Sequence, residues 1–206
     1  MTLSAHTEDA TLVARRAQAM ECVYRPRGTV RCAGKPAFRS QLARDLGCLL
    51  DLDGGVDRWS CLPAVLREGD DEHLPDFLAR RGREHVLIDA VAGPSDMPHG
   101  WVQEAAADRG CLYEAWGAER IRNGYRLANA KDLLRYAGWD CPLGDRVRLL
   151  AGLDEAGSLA VAECLSAFRE TRPIAGLAAL VLRRFVSIEL DEAPIGPETQ
   201  VRRWRD

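Results

Sequence analysis

A mixed α/β fold, with helices packed on a sheet and a small α+β domain after it, is predicted by three features of the sequence. Segments of helical and strand periodicity alternate in the order α-β-β-β-α-β up to about residue 141. Two short polar links, "GDDE" and "RGRE", predict antiparallel hairpins among those strands. From Pro142 onward the strands give way to three helical segments and a closing two-strand hairpin, the winged-helix order of DNA-binding and protein-docking modules. The expected division is a helix over 1–24, a sheet domain over 25–141 and a winged-helix-like domain over 142–206.

In chain order, Thr7 can cap a helix running to about Met20, with Leu12 and Val13 on its apolar side. "VYRPRGTVRCAGKP" is an extended arm, because proline and glycines oppose a helix. Phe38, Leu42, Leu46, Leu49 and Leu50 recur at helical spacing and predict a helix that stops at "DGG". Strands are expected at "VDRWSCL", "PAVLRE", "HLPDFLAR" and "HVLIDAV", the last three as hairpins. "HGWVQEAAADRG" is helical, "CLYEAW" a strand and "RLANAKDLLRYAG" a helix. "LGDRVRLLAGLDEAG", "SLAVAECLSAFRE" and "PIAGLAALVLRRF" follow as helices, and "VSIEL" and "TQVRRW" flank the turn "DEAPIGPE".

Composition narrows the function. Apolar residues at 47% and charged residues at 29% describe an ordinary globular chain. No apolar run approaches the ~20 residues of a membrane span, and there is no apolar signal core, so a cytoplasmic protein with no membrane partner is expected. The seven cysteines never form C-x-x-C and lack finger spacing, which excludes a zinc finger and suggests reduced thiols. No Walker loop, dinucleotide fingerprint, paired-histidine zinc motif or G-x-S-x-G elbow is present. Arg15 to Arg44 holds eight basic residues against one acid, Glu21, a local excess that could hold phosphates or be a solvated face.

The chemistry-bearing stretch is "HLPDFLARRGREHVLIDAV", residues 73–91. A helix, a Pro-Asp strand and a strand ending in an acid are what a metal-dependent nuclease of the PD-(D/E)XK type assembles. Its acids hold magnesium through hard oxygen ligands, the metal lowers the pKa of the attacking water, and a lysine stabilises developing charge. "SQLARDLGCLLDLDGGVDRWSCLP" followed by residues 73–91 resembles the TnsA family, the endonuclease subunit of heteromeric transposases. "RGCLYEAWGAERIRNGYRLANAKDLLRY" and the tail "LDEAPIGPETQVRRW" extend the resemblance over roughly residues 25–204. It implies a restriction-endonuclease-like mixed sheet flanked by helices, with Asp76 and Asp89 as remnant catalytic and metal-binding acids.

The departures are as informative as the matches. The family's helix glutamate falls on Ala43, its lysine on Val91 and its strand-end glutamine on Leu62. Only Lys35 and Lys131 exist, so no other lysine can serve. Arg39 could share a helix face with Ala43 and replace the lost charge, but a guanidinium cannot take a proton from water. Asp45 should point elsewhere, and Asp70, Asp71 and Glu72 could reach a metal only if their turn folds inward. Alternatively, Arg39 or Arg44 simply pairs with Asp76 or Asp89 as a structural remnant.

The expectation is a DNA-binding protein that no longer cuts, acting as a regulatory or assembly subunit of a transposition or other mobile-element system. Arg25, Arg27, Arg31, Lys35, Arg39 and Arg44 would grip phosphates, and the third C-terminal helix with Arg172, Arg183 and Arg184 would read a groove. Partners would be double-stranded DNA and a transposase or other subunit, with a homodimer possible. No cofactor is expected unless the acids still work, in which case it is magnesium. Two alternatives stand: an active magnesium-dependent endonuclease with relocated groups, and a winged-helix transcription regulator that dimerises through the nuclease-like domain.

Overall fold

The computed structural model describes residues 10–205. Thr7, expected to cap the first helix, lies outside them. The chain falls into two compact units, one of residues up to Arg25 with Arg31–Ile121, the other of Pro26–Val30 with the chain from Arg122 onward. Position 142, the expected boundary, lies inside the second unit.

The first unit is a mixed sheet between helices. It contains helices α1 (Ala10–Glu21) and α2 (Gln41–Leu52) and strands β1 (Arg58–Cys61), β2 (Leu66–Glu68), β3 (Asp71–His73), β4 (Phe77–Arg81) and β5 (Glu84–Val91). Helix α3 (Trp101–Ala107), strand β6 (Leu112–Gly117) and the short α4 (Ala118–Arg122) complete it. The strand order is β1-β4-β5-β6, antiparallel except for the parallel β5–β6 pair. That pair needs a crossover, and α3 supplies it.

Helix α2 begins where Ser40 accepts the Ala43 N–H at 3.0 Å, a side-chain cap on an otherwise unpaired donor. Every residue from Leu42 to Asp51 is buried, because α2 lies on the sheet face that carries Trp59, Phe77 and Ile88. Trp59 meets Phe77 edge to face at 5.4 Å, and Phe38 leans on both. A side chain at Gly47 would bring its Cβ within 3.0 Å of the Phe38 ring, so glycine lets this layer close. On the opposite face Leu87, Leu66, Val102 and Ala106 form a second core cluster with Tyr113 packed against it.

Two strand expectations are corrected. "HLPDFLAR" is not one strand: β3 ends at His73, and Pro75, which lacks an N–H to donate, separates it from β4. "GDDE" closes a separate two-stranded hairpin, β2–β3, so the three strands expected to join through two consecutive hairpins form instead one isolated hairpin and one, β4–β5, inside the sheet.

The second unit holds α5 (Arg126–Leu134), α6 (Leu143–Ala156), β7 (Ser158–Ala160), α7 (Val161–Cys164), α8 (Pro173–Leu182), β8 (Val186–Ile188) and β9 (Gln200–Arg203). Its sheet has the order β7-β9-β8, antiparallel throughout. The expected helix over "SLAVAECLSAFRE" is instead β7, the four-residue α7 and a 3-10 turn at Leu165–Ala167. Asn129 of α5 latches the "DEAPIGPE" turn: its amide donates to Leu190 O (2.9 Å) and Ala193 O (2.8 Å) and accepts from Ile195 N (3.0 Å).

Candidate functional site

Asp76 and Asp89 meet at the mouth of the β4–β5 hairpin. Phe77 pairs with Ile88, so the next residues outward, Asp76 and Asp89, face each other. The Asp76 N–H donates to Asp89 Oδ1 at 3.0 Å, and the Ala90 N–H donates to Asp76 Oδ2 at 2.9 Å. Each carboxylate thus takes a backbone donor from the other strand, which fixes both rotamers.

Arg39 spans the pair. Its Nε donates to Asp76 Oδ1 at 2.8 Å and a terminal nitrogen donates to Asp89 Oδ1 at 3.2 Å. Arg39 does not share a helix face with Ala43, as α2 starts only at Gln41; it reaches the acids from the position just before the Ser40 cap. Its side chain is 39% exposed, against 5% and 4% for Asp76 and Asp89, so the guanidinium lids the carboxylates on their solvent side.

Two partners escaped sequence reasoning. His73 Nε2 lies 2.7 Å from Asp89 Oδ2, and the Tyr113 hydroxyl donates to the same oxygen at 2.6 Å. A carboxylate only accepts, so His73 carries its proton on Nε2 toward Asp89. His73 is legible as a polar residue three before the Pro-Asp aspartate. Tyr113 is not, because the parallel β5–β6 register that brings it near is set by the α3 crossover.

Burial pushes the Asp76 carboxyl above the ordinary carboxylate range, although Arg39 opposes the shift. Burial also works against the charge on Asp89, but His73 foremost, with Tyr113 and Arg39, outweighs it and holds that carboxyl low. Burial and the adjacent Asp89 charge push the Tyr113 phenol up, so it remains a donor. Burial disfavours the Arg39 cation, yet Asp76 and Asp89 more than compensate and keep it charged.

The two acids are held in an ion-paired cluster. All four carboxylate oxygens already accept hydrogen bonds, and a fixed cation occupies the space between the two groups. A divalent ion, which is usually held by one or two carboxylates with waters completing its octahedron, would have to displace Arg39 from between the two acids. Among the described residues no group of three metal-binding side chains forms. Asp45 accepts from Gln41 at 2.7 Å within α2, and Glu72 pairs with Arg67 at 2.9 Å along the β2–β3 hairpin. Ala43 and Val91 are buried, at 1% and 3% exposure.

Leu62, where the family places glutamine, has φ of 47°, unusual for a branched side chain, and is fully buried. Its N–H donates to Asp76 O at 2.9 Å, and its carbonyl accepts from Arg16 of α1 at 3.1 Å. Helix α1 thereby stands beside the acid pair, and a cavity of about 410 Å3 between them is lined by Arg15, Gln18, Arg39 and His73.

The expected phosphate contacts are partly overturned. Arg25, Arg27 and Lys35 are exposed. Arg44 is fully buried, with its guanidinium 4.9 Å from the centre of the Phe38 ring, and cannot reach a backbone phosphate. The Arg31 side chain donates to the Asp51 carbonyl while its N–H donates to Asp51 Oδ1 at 2.9 Å. Helix α8 is buried at every residue from Ala175 to Leu182, so it has no face to lay in a groove; an apolar helix buried all round is core. Of its flanking arginines, Arg183 pairs with Asp140 at 2.6 Å, while Arg172 and Arg184 stack over Trp139 and Trp204. Among known proteins, no family model matches the chain, and a search of curated proteins finds no match.

Proposed function

We propose that this chain is a non-cleaving subunit of a DNA-processing assembly, of the transposition type, built on a nuclease-like fold. The observation that carries the reading is Arg39 bridging Asp76 and Asp89, a resident guanidinium where such a site needs a divalent cation. The α-β-β-β-α-β order, with α2 against a mixed four-stranded sheet and both acids at one hairpin mouth, supports the nuclease-like ancestry. From α6 onward, the helix-strand-helix-helix-strand-strand order within the second unit supports a winged-helix-like module. Because its third helix is core, that module serves protein docking rather than groove reading.

The test is isothermal titration of magnesium and manganese into the full chain and into Arg39→Ala, paired with a nicking assay on supercoiled plasmid. The expected result is no site-specific uptake and no nicking by the natural sequence. Metal-dependent nicking that Asp76→Ala abolishes would overturn the proposal.

A further inference from the structure

We propose that the outer face of the second unit's sheet holds the terminal phosphate of a small nucleotide-like ester, a phosphate monoester joined to a flat ring. Strand register sets the site. Arg202 of the central strand β9 is paired directly with Ser158 of β7 on one side and with Ser187 of β8 on the other. Directly opposed residues project to the same face with their Cβ atoms about 4.5–5.5 Å apart, so a guanidinium stands between two hydroxyls in one row. Val201, the residue before it, is fully buried, which turns the row outward, and Arg202 is exposed.

The row lines a cavity of about 850 Å3 together with Trp204 and Arg205, a volume within the range of small-molecule sites. Among the described residues, neither the Arg202 guanidinium nor either serine hydroxyl has a hydrogen-bond or ion-pair partner, whereas the neighbouring Arg203 is committed to Asp154 at 2.9 Å. That pairing neutralises the acid lining the cavity and leaves Arg202 and Arg205 as surplus cations. Arg202 also borders a second cavity, lined by Glu189, Glu192 and Glu198, which repels an anion. The phosphate therefore lies on the Arg205 side of the row.

A terminal phosphate carries about two negative charges and three acceptor oxygens at neutral pH. Two arginines and two hydroxyls match that set through charge-assisted hydrogen bonds. A bridging phosphodiester offers less charge and fewer free oxygens, so the site favours a terminal group over a polynucleotide backbone. The half-buried Trp204 indole, with Arg184 over its ring, adds a flat wall for the ring of the ester. All of these residues belong to the second unit, so the site is independent of what the acid pair does.

The experiment titrates adenosine monophosphate, inorganic phosphate and adenosine into the full chain by calorimetry at low salt, and locates the contact from amide spectra of the isotope-labelled chain. Adenosine monophosphate should bind most tightly, inorganic phosphate more weakly and adenosine not measurably, with shifts centred on residues 158, 187 and 202–205. Arg202→Gln should weaken adenosine monophosphate roughly tenfold or more, and joint Ser158→Ala and Ser187→Ala roughly fivefold or more. The serine pair keeps the same reading should Arg202→Gln fold poorly. A duplex with hydroxyl ends should not compete. Absence of binding by both phosphate probes, equal binding of adenosine, shifts centred elsewhere, unchanged affinity in the folded variants, or full competition by that duplex would each overturn the proposal.

Discussion

Asp76 and Asp89 are neighbours of the same chemical type, yet the fold drives them apart. Four donors converge on Asp89, from Arg39, the Asp76 N–H, His73 and Tyr113, whereas Asp76 has Arg39 and one backbone N–H. Asp89 is held below the ordinary carboxylate range in the fold and returns to it on unfolding. Its contribution to stability is therefore present above that range and is lost as pH falls through the folded value. Asp76 has the opposite sign: its raised carboxyl costs stability at neutral pH, and the cost is relieved as pH falls through its folded value. At pH 7, Asp89→Asn should cost about 2–3 kcal/mol by stranding Arg39 and His73, while Asp76→Asn should stay within about 1 kcal/mol. Urea midpoints at pH 7 and below about pH 4 check this. The gap between the two variants should narrow on acidification, and equal losses at pH 7 would contradict the asymmetry.

At the scale of elements, most of the longer helices and the β4–β5 hairpin were legible because periodicity and turn chemistry are local. What was not legible depended on tertiary partners. Segment 158–164 has helical composition, but pairing with β9 takes its first three residues into a sheet. Arg44 occupies an ordinary helical position by sequence, and only the closure of α2 onto the sheet buries it. The acid pair was implied by the family resemblance, and its pairing with Arg39 was one of the alternatives open in the sequence; that Arg39 reaches both acids from before the helix cap was not legible, because no periodicity signals its direction there. Asp145 is another long-range device that spacing could not reveal. From the first turn of α6 its fully buried carboxylate accepts from Arg169 N (2.8 Å), Glu170 N (3.1 Å) and Thr171 N (2.9 Å), gathering the segment that leads into α8. Burial opposes its charge, and those donors with Arg148 overcome it and hold the carboxyl low. Asp145→Ala should cost about 3 kcal/mol by leaving three backbone donors unpaired. Asp145→Asn should recover part of that, since it keeps one acceptor oxygen. Chemical denaturation of both variants checks the ranking, and equal stability to the natural sequence would remove Asp145 as the anchor of this segment.

For the whole molecule, the balance of charge limits how DNA could be held. The formal net charge is −3, so long-range attraction to a polyanion is weak and binding must come from local cations. Six basic residues between positions 25 and 44 would give a steep salt dependence if all met phosphates. The fold spends three of them internally: Arg31 on Asp51, Arg39 on the acid pair, and Arg44 in the core. Arg25, Arg27 and Lys35 remain exposed. Each neutralised phosphate of duplex DNA contributes a slope of about −0.9 in log affinity against log salt, so three contacts predict about −3 rather than about −5. Fluorescence anisotropy of a labelled duplex across a sodium chloride series measures it. The joint change Arg25→Ala, Arg27→Ala and Lys35→Ala should bring the slope near zero, with little effect on folding because the three side chains lie at the surface. A slope near −5 that survives the triple change would place the nucleic-acid contact outside the arm and return the second unit to consideration as a DNA-binding module.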